Sequence, residues 1–129
     1  MMIILDRDGV INHDSPNYIK TPDEWIAYSE SLTAIARLNQ AGHQVTVATN
    51  QSGVGRGFYT LETLENIHHK MKAELAAVGA HLDGIYFCPH TPEDHCECRK
   101  PKPGMLLQIA KDFQINIKDT IFVGDAWRD

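Results

Sequence analysis

Two aspartates, Asp6 and Asp8, flank an arginine directly after the apolar run MIIL at 2–5, and Gly9 follows them. Carboxylates two residues apart at a strand end can divide a phosphoryl transfer between them. The ionised one attacks phosphorus; the other gives a proton to the leaving oxygen and later takes one from water. A second apolar run, TIFV at 120–123, leads into Gly124-Asp125, and Asp129 ends the chain. Carboxylates gathered this way repel one another unless a cation joins them. A hard ion such as Mg²⁺ suits all-oxygen donors and would align a phosphate for in-line attack. Thr49 and Asn50 close the run QVTVA at 44–48 and carry hydrogen-bonding groups for phosphoryl oxygens. Lys100 carries the positive charge that the transition state calls for, with Lys102 as its rival. Taken alone, the Asp6/Asp8 pair equally describes a solvated turn with a capping aspartate.

A second constellation is metal-like. All three cysteines fall within the loop 88–98, as Cys88-Pro-His90 and Cys96-Glu-Cys98. Three thiolates and one imidazole form the donor set of a closed tetrahedral zinc site. An odd, clustered set of cysteines argues for metal rather than a disulfide framework. His95 competes as the imidazole ligand; His90 fits better because two short pairs can then face one ion. Four protein ligands leave no open position, so this zinc is expected to be structural, holding the loop that presents Arg99 and Lys100. His13, His43, His68, His69 and His81 read as ordinary.

The elements that must position these residues alternate. Strands are expected at 2–5, 44–48, 84–87 and 120–123. Helices are expected at 31–41, from an N-cap at Thr60 to Gly79, and after Pro103, where Met105, Ile109 and Phe113 recur every four residues. Alternating strands and helices imply right-handed crossovers and a mostly parallel sheet covered on both faces. In such sheets ligands bind beyond the carboxyl ends of the strands, where all these polar residues fall. Two long loops, 8–29 and 88–102, are expected to be functional.

With these motifs in order, the sequence resembles the haloacid dehalogenase-like phosphatases: LDRDG at 5–9, Thr49 in VATNQSG, Lys100 in CRKPKPG and GDAWRD at 124–129. The resemblance spans the chain and implies a Rossmann-like three-layer α/β sandwich of strand order 3-2-1-4, with a fifth strand missing and no large cap domain. It implies Asp6 as nucleophile, Asp8 as general acid/base, and Thr49 and Lys100 as phosphate binders. Mg²⁺ would be held by Asp6, the Asp8 carbonyl and Asp125, with Asp129 ordering a metal-bound water or Lys100. The zinc loop followed by RKPKPGM, together with TNQSGVGRGFYT at 49–60, resembles the heptose bisphosphate phosphatase branch. The histidinol-phosphate phosphatases are the neighbouring alternative, and a zinc module without turnover is the alternative of another class. Substrate contacts implied for that branch are Asp14, Ser15, Asn17, Asn50, Gln51, Ser52 and Arg99. Arg56 is a further candidate, equally readable as a surface arginine.

Family members continue past the fourth motif. Residues 1–129 are therefore expected to be one phosphatase domain truncated at its C-terminus. Full-length relatives are expected to be monomers, and strand four here to be open to chain–chain contact. The chain has 129 residues, 43% hydrophobic and 22% charged, enough for one hydrophobic core. Its net charge of −5 disfavours nucleic acid and leaves a phosphorylated sugar as the expected partner. The opening apolar run is too short for a membrane span or a secretory leader, so a cytoplasmic location is expected.

Overall fold

The structure, a computed structural model, describes residues 1–125; Asp129 lies outside the described residues. Four parallel strands, β1 (Met2–Leu5), β2 (Gln44–Asn50), β3 (Gly84–Cys88) and β4 (Thr120–Val123), lie in the order β3-β2-β1-β4. This is the order expected from the sequence. Helices α1 (Ser29–Gln40), α2 (Ser52–Gly55), α3 (Leu61–Ala77) and α4 (Gly104–Phe113) fill the connections. No large cap is inserted among the described residues.

Both faces of the central strands are covered, which is why β1 reads as an unbroken apolar run, MIIL, rather than an alternating one. One core layer packs Ile3, Leu5, Val45 and Val47 against Leu32 and Ile35 of α1 and Ile67, Met71 and Leu75 of α3. The other packs Met2, Ile4 and Ala48 against Met105 and Ile109 of α4, with Cys88 at its upper end. Met71 is fully buried. Truncating it to alanine is expected to cost about 2–5 kcal/mol.

The spacing of α3 is the clearest helix signal in the chain, and its start matches the expectation: the Thr60 hydroxyl accepts from the Thr63 amide at 3.1 Å. The short helix α2 and three 3₁₀ turns carry too few residues for a periodic signal, so they were not foreseen. The long loop 8–29 is anchored rather than loose. Trp25 is completely buried in the α1/α3 layer. The Lys70 ammonium donates to the carbonyls of Pro22 and Trp25 at 2.8 and 2.7 Å.

Register positions the chemistry. Leu5 pairs with Val47 on one side and with Val123 on the other. The residues that follow, Asp6, Ala48-Thr49 and Gly124-Asp125, therefore emerge together at the carboxyl edge of the sheet. Asp6 N donates to Val123 O at 2.9 Å, extending the β1–β4 ladder by one residue.

Candidate active site

Beyond that edge lies a cleft of about 250 Å³ whose walls include Asp6, Asp8, Asp14, Ser15, Thr49, Asn50, Gln51, Ser52, Arg56, Arg99, Lys100 and Asp125. Asn17 is absent from its lining; it is exposed, and its carbonyl accepts from the Lys20 ammonium at 2.7 Å. Tyr18 and Ile19 line the cleft in its place.

At the floor, Asp6 is nearly buried, and its Oδ1 accepts from the Arg7 amide at 2.8 Å. Lys100 Nζ lies 3.3 Å from the same oxygen and donates to Ala48 O at 3.0 Å. Lys100 is buried and Lys102 exposed, so the two candidate lysines separate cleanly. Asn50 secures Lys100 from the neighbouring strand. Its Oδ1 accepts from Lys100 N at 2.9 Å and its Nδ2 donates to Lys100 O at 3.2 Å. The amide expected to touch substrate thus clamps the backbone of Lys100.

Gly9 sits at φ +83°, in the left-handed region, and a Cβ there would run into the Asp125 carboxylate. Glycine at this point lets the turn bend back after Asp8 and lets Asp125 come down over it. Three carboxylates from two adjacent strand ends thus share one cleft, all offering hard oxygen donors of the kind Mg²⁺ prefers.

Asp8 is held from three sides. Arg7 Nε and Nη2 donate to its Oδ1 at 3.0 and 2.8 Å, Asn12 Nδ2 donates to the same oxygen at 2.9 Å, and Gln51 Nε2 donates to Oδ2 at 3.1 Å. Gln51 also donates to Thr49 Oγ1 at 2.9 Å, while its Oε1 accepts from Tyr59 OH at 2.6 Å and from Arg7 Nη2 at 3.3 Å. Both amide protons and both acceptor positions are therefore engaged within the protein, so the side chain expected to touch substrate also braces Asp8 and Thr49. Burial pushes the Tyr59 phenol up to about 12, so it remains a donor and fixes which way the Gln51 amide faces. Gly53 makes room for it; a Cβ there would strike the Tyr59 ring.

Arg7 is fully buried, and behind it stands His68 of α3, with Nε2 3.2 Å from Arg7 Nη1. Burial first, and the Arg7 charge second, push this imidazole down to about 3. In sequence His68 reads as ordinary, since it and His69 are adjacent on a helix and do not share a face. Arg7, Asn12 and Tyr59 escaped notice too: each becomes functional only when distant segments meet.

Arg99 lines the cleft, and its Nη1 is buried without a hydrogen-bond partner among the described residues. Arg56 stands further out, its Nε 3.4 Å from Ser52 Oγ.

Next to the cleft, ligand atoms of Cys88, His90, Cys96 and Cys98 lie within 4.8 Å of one another. The Cys88 and Cys98 sulfurs are in disulfide contact, a pairing the sequence reading did not expect. Cys96 Sγ lies 3.5 Å from Cys88 Sγ and 3.7 Å from Cys98 Sγ, and His90 Nδ1 lies 3.6 and 3.3 Å from the same two sulfurs. His95 stands outside the group, exposed and in the left-handed conformation. The loop is tied to the catalytic edge by Gln51 N donating to Cys88 O and Gly55 N donating to Pro89 O, at 2.8 and 2.9 Å.

Comparison with known proteins gives this arrangement a context. Residues 2–128 match the family described as polynucleotide kinase 3 phosphatase. D-glycero-beta-D-manno-heptose-1,7-bisphosphate 7-phosphatase of Pseudomonas aeruginosa is 53% identical over 128 residues, covering 99% of this chain and 72% of that protein. The crystal structure of D,D-heptose 1,7-bisphosphate phosphatase from B. bronchiseptica, complexed with magnesium and phosphate, superposes with a TM-score of 0.96 at 52% identity. That likeness covers 98% of this chain and 71% of the other. The structure of an HAD-like phosphatase from Mesorhizobium loti, named as such only provisionally, superposes with a TM-score of 0.89 at 33% identity, covering 98% of this chain and 64% of the other.

Proposed function

Because this chain belongs to the polynucleotide kinase 3 phosphatase family, and within it to the heptose bisphosphate phosphatases of haloacid dehalogenase-like fold, we propose that it removes the 7-phosphate of D-glycero-D-manno-heptose 1,7-bisphosphate. The observation that carries this reading is the meeting of Asp6, Asp8, Thr49, Lys100 and Asp125 in one cleft.

In the first step Asp6 Oδ attacks phosphorus and the bond from phosphorus to the sugar oxygen breaks. Asp8, protonated, gives its proton to that oxygen. In the second step Asp8, now a carboxylate, takes a proton from water. The water oxygen attacks phosphorus, and the bond from phosphorus to Asp6 breaks, restoring the carboxylate. Lys100 and Thr49 hold the phosphoryl oxygens, and Lys100 lowers the repulsion between the incoming phosphate and Asp6. Asp6, the Asp8 carbonyl and Asp125 would hold Mg²⁺, which supplies charge neutralisation and alignment of the phosphate. A bisphosphate leaves a second phosphate to be held. Arg99, with a buried guanidinium nitrogen lacking a protein partner among the described residues, fits that task, with Arg56 nearby. Asp14, Ser15 and Ser52 complete the sugar contacts.

The cysteine cluster fits zinc. In a tetrahedral site with Zn–S near 2.3 Å and Zn–N near 2.1 Å, ligand atoms stand about 3.5–3.8 Å apart. The spacings of Cys96 and His90 from the other two sulfurs fall close to that range. A disulfide needs two sulfurs and gives no reason for a third thiol and an imidazole to converge on it. Cys88, His90, Cys96 and Cys98 would hold the ion and brace Arg99 and Lys100.

The test is a substrate comparison with Mg²⁺ present. Heptose 1,7-bisphosphate should be hydrolysed at C7 with kcat/KM about a hundredfold or more above histidinol phosphate. Preference for histidinol phosphate would move the chain to the neighbouring branch, and no phosphate release from any substrate would leave a zinc module.

A further inference from the structure

His68 is a buried titratable side chain near the cleft that the chemistry above does not use. It projects from α3, more than sixty residues away in sequence from the Asp6–Asp8 turn, and only 6% of its surface is exposed. Its contact is not an accident of packing. A guanidinium has five donors and no acceptor, so the nitrogen that faces Arg7 Nη1 at 3.2 Å must present a lone pair. That requires the ring to be neutral, with its proton on Nδ1. Arg7 then has each edge of its guanidinium engaged. Nε and Nη2 are on Asp8 Oδ1, Nη2 also reaches Gln51 Oε1, and Nη1 is on His68.

We propose that His68 is a positioning residue for the acid/base step, acting through Arg7 on Asp8. This rests on the reading that Asp8 moves the proton. With Nη1 anchored, the guanidinium cannot rotate about its stem, and both remaining edges stay on Asp8 Oδ1. That oxygen is then saturated by Arg7 and Asn12, and the proton must travel on Oδ2, the oxygen that receives a single bond, from Gln51. Without the anchor, Arg7 keeps its burial and its charge but loses its fixed orientation. Asp8 can then turn, and its two oxygens lose their separate tasks. Substrate contacts do not change, so the effect should fall on turnover rather than on binding.

The experiment combines one measurement on the native protein with two substitutions. Ring ¹⁵N shifts of His68 at neutral pH should show protonated Nδ1 and unprotonated, hydrogen-bonded Nε2. In His68→Phe, kcat should fall about tenfold with KM changed less than about twofold. His68→Gln, whose carbonyl can occupy the Nε2 position and accept from Arg7, should regain most of the loss. A protonated Nε2 in the native protein overturns the proposal even where His68→Phe fails to fold. So does a folded His68→Phe with native kcat, or a His68→Gln no better than His68→Phe. Full turnover in Asp8→Asn overturns it through its premise, and is told apart because the ring tautomer would still match.

Discussion

A buried neutral imidazole makes stability depend on pH in a defined window. The folded-state value for His68 is pushed from 6.5 down to about 3, by burial first and by Arg7 second, with smaller opposing help from Asp8 and small added depression from Lys72 and His69. Its folded value is depressed, so the unfolded chain binds the proton first as pH falls. The stability associated with the neutral ring is fully present above the unfolded value and is lost as pH drops toward the folded one. Each pH unit within the window lowers stability by about 1.4 kcal/mol. Moving from about pH 6.5 to about pH 4.5 should therefore cost the native protein about 2–3 kcal/mol through this residue alone. His68→Gln cannot titrate there. Other groups, including the carboxylates and the cysteine cluster, contribute equally to both proteins and cancel in the difference. Urea unfolding at several pH values measures it: the gap between native and His68→Gln midpoints should shift in favour of the variant as pH falls. Parallel curves across the window would show that His68 is not held neutral against Arg7, and the buried contact would have to be abandoned.

The clamp on Lys100 gives a second prediction. Asn50→Ala removes two hydrogen bonds to the Lys100 backbone and should destabilise by about 1–3 kcal/mol while lowering turnover more than KM; a native kcat would show that Lys100 holds its place unaided. Gly9→Ala introduces both left-handed strain of about 1–2 kcal/mol and a Cβ against Asp125, so the Mg²⁺ concentration for half-maximal activity should rise; an unchanged requirement would separate Asp125 from the metal. Elemental analysis should find about one zinc per chain, and Cys96→Ser should lose both zinc and much of the turnover; zinc-free protein with a stable Cys88–Cys98 disulfide and full activity would refute the zinc assignment.

The residues legible from sequence are those whose chemistry sits at an element end. Asp6 and Asp125 each follow an apolar strand, and Lys100 follows a cysteine cluster that marks its own loop, so the shared edge and cleft could be reasoned from pattern, while the strand order came from the family resemblance. The residues that escaped are those defined by what they face. Gln51 reads from sequence only as a substrate contact, and its bonds to Tyr59, Arg7, Thr49 and Asp8 have no local signal. Asn50 likewise reads only as a substrate contact, and its clamp on the Lys100 backbone shows only when strand and loop meet. Asn17 follows a loop pattern yet does not line the cleft, whereas the next residue, Tyr18, at φ 66°, does. His68 obeys helical periodicity like any core residue, and no local signal distinguishes a histidine that packs from one that holds an arginine.

The central claim is that phosphorus is transferred to Asp6. The direct measurement is mass spectrometry of acid-quenched Asp8→Asn protein after mixing with heptose bisphosphate and Mg²⁺, since loss of the acid/base residue should slow breakdown of the acyl phosphate. Peptide mapping should place one phosphoryl group on Asp6, with none in the Asp6→Asn, Asp8→Asn double variant. Turnover by folded Asp6→Asn protein at the native rate, with no phosphorylated peptide trapped, would contradict the account.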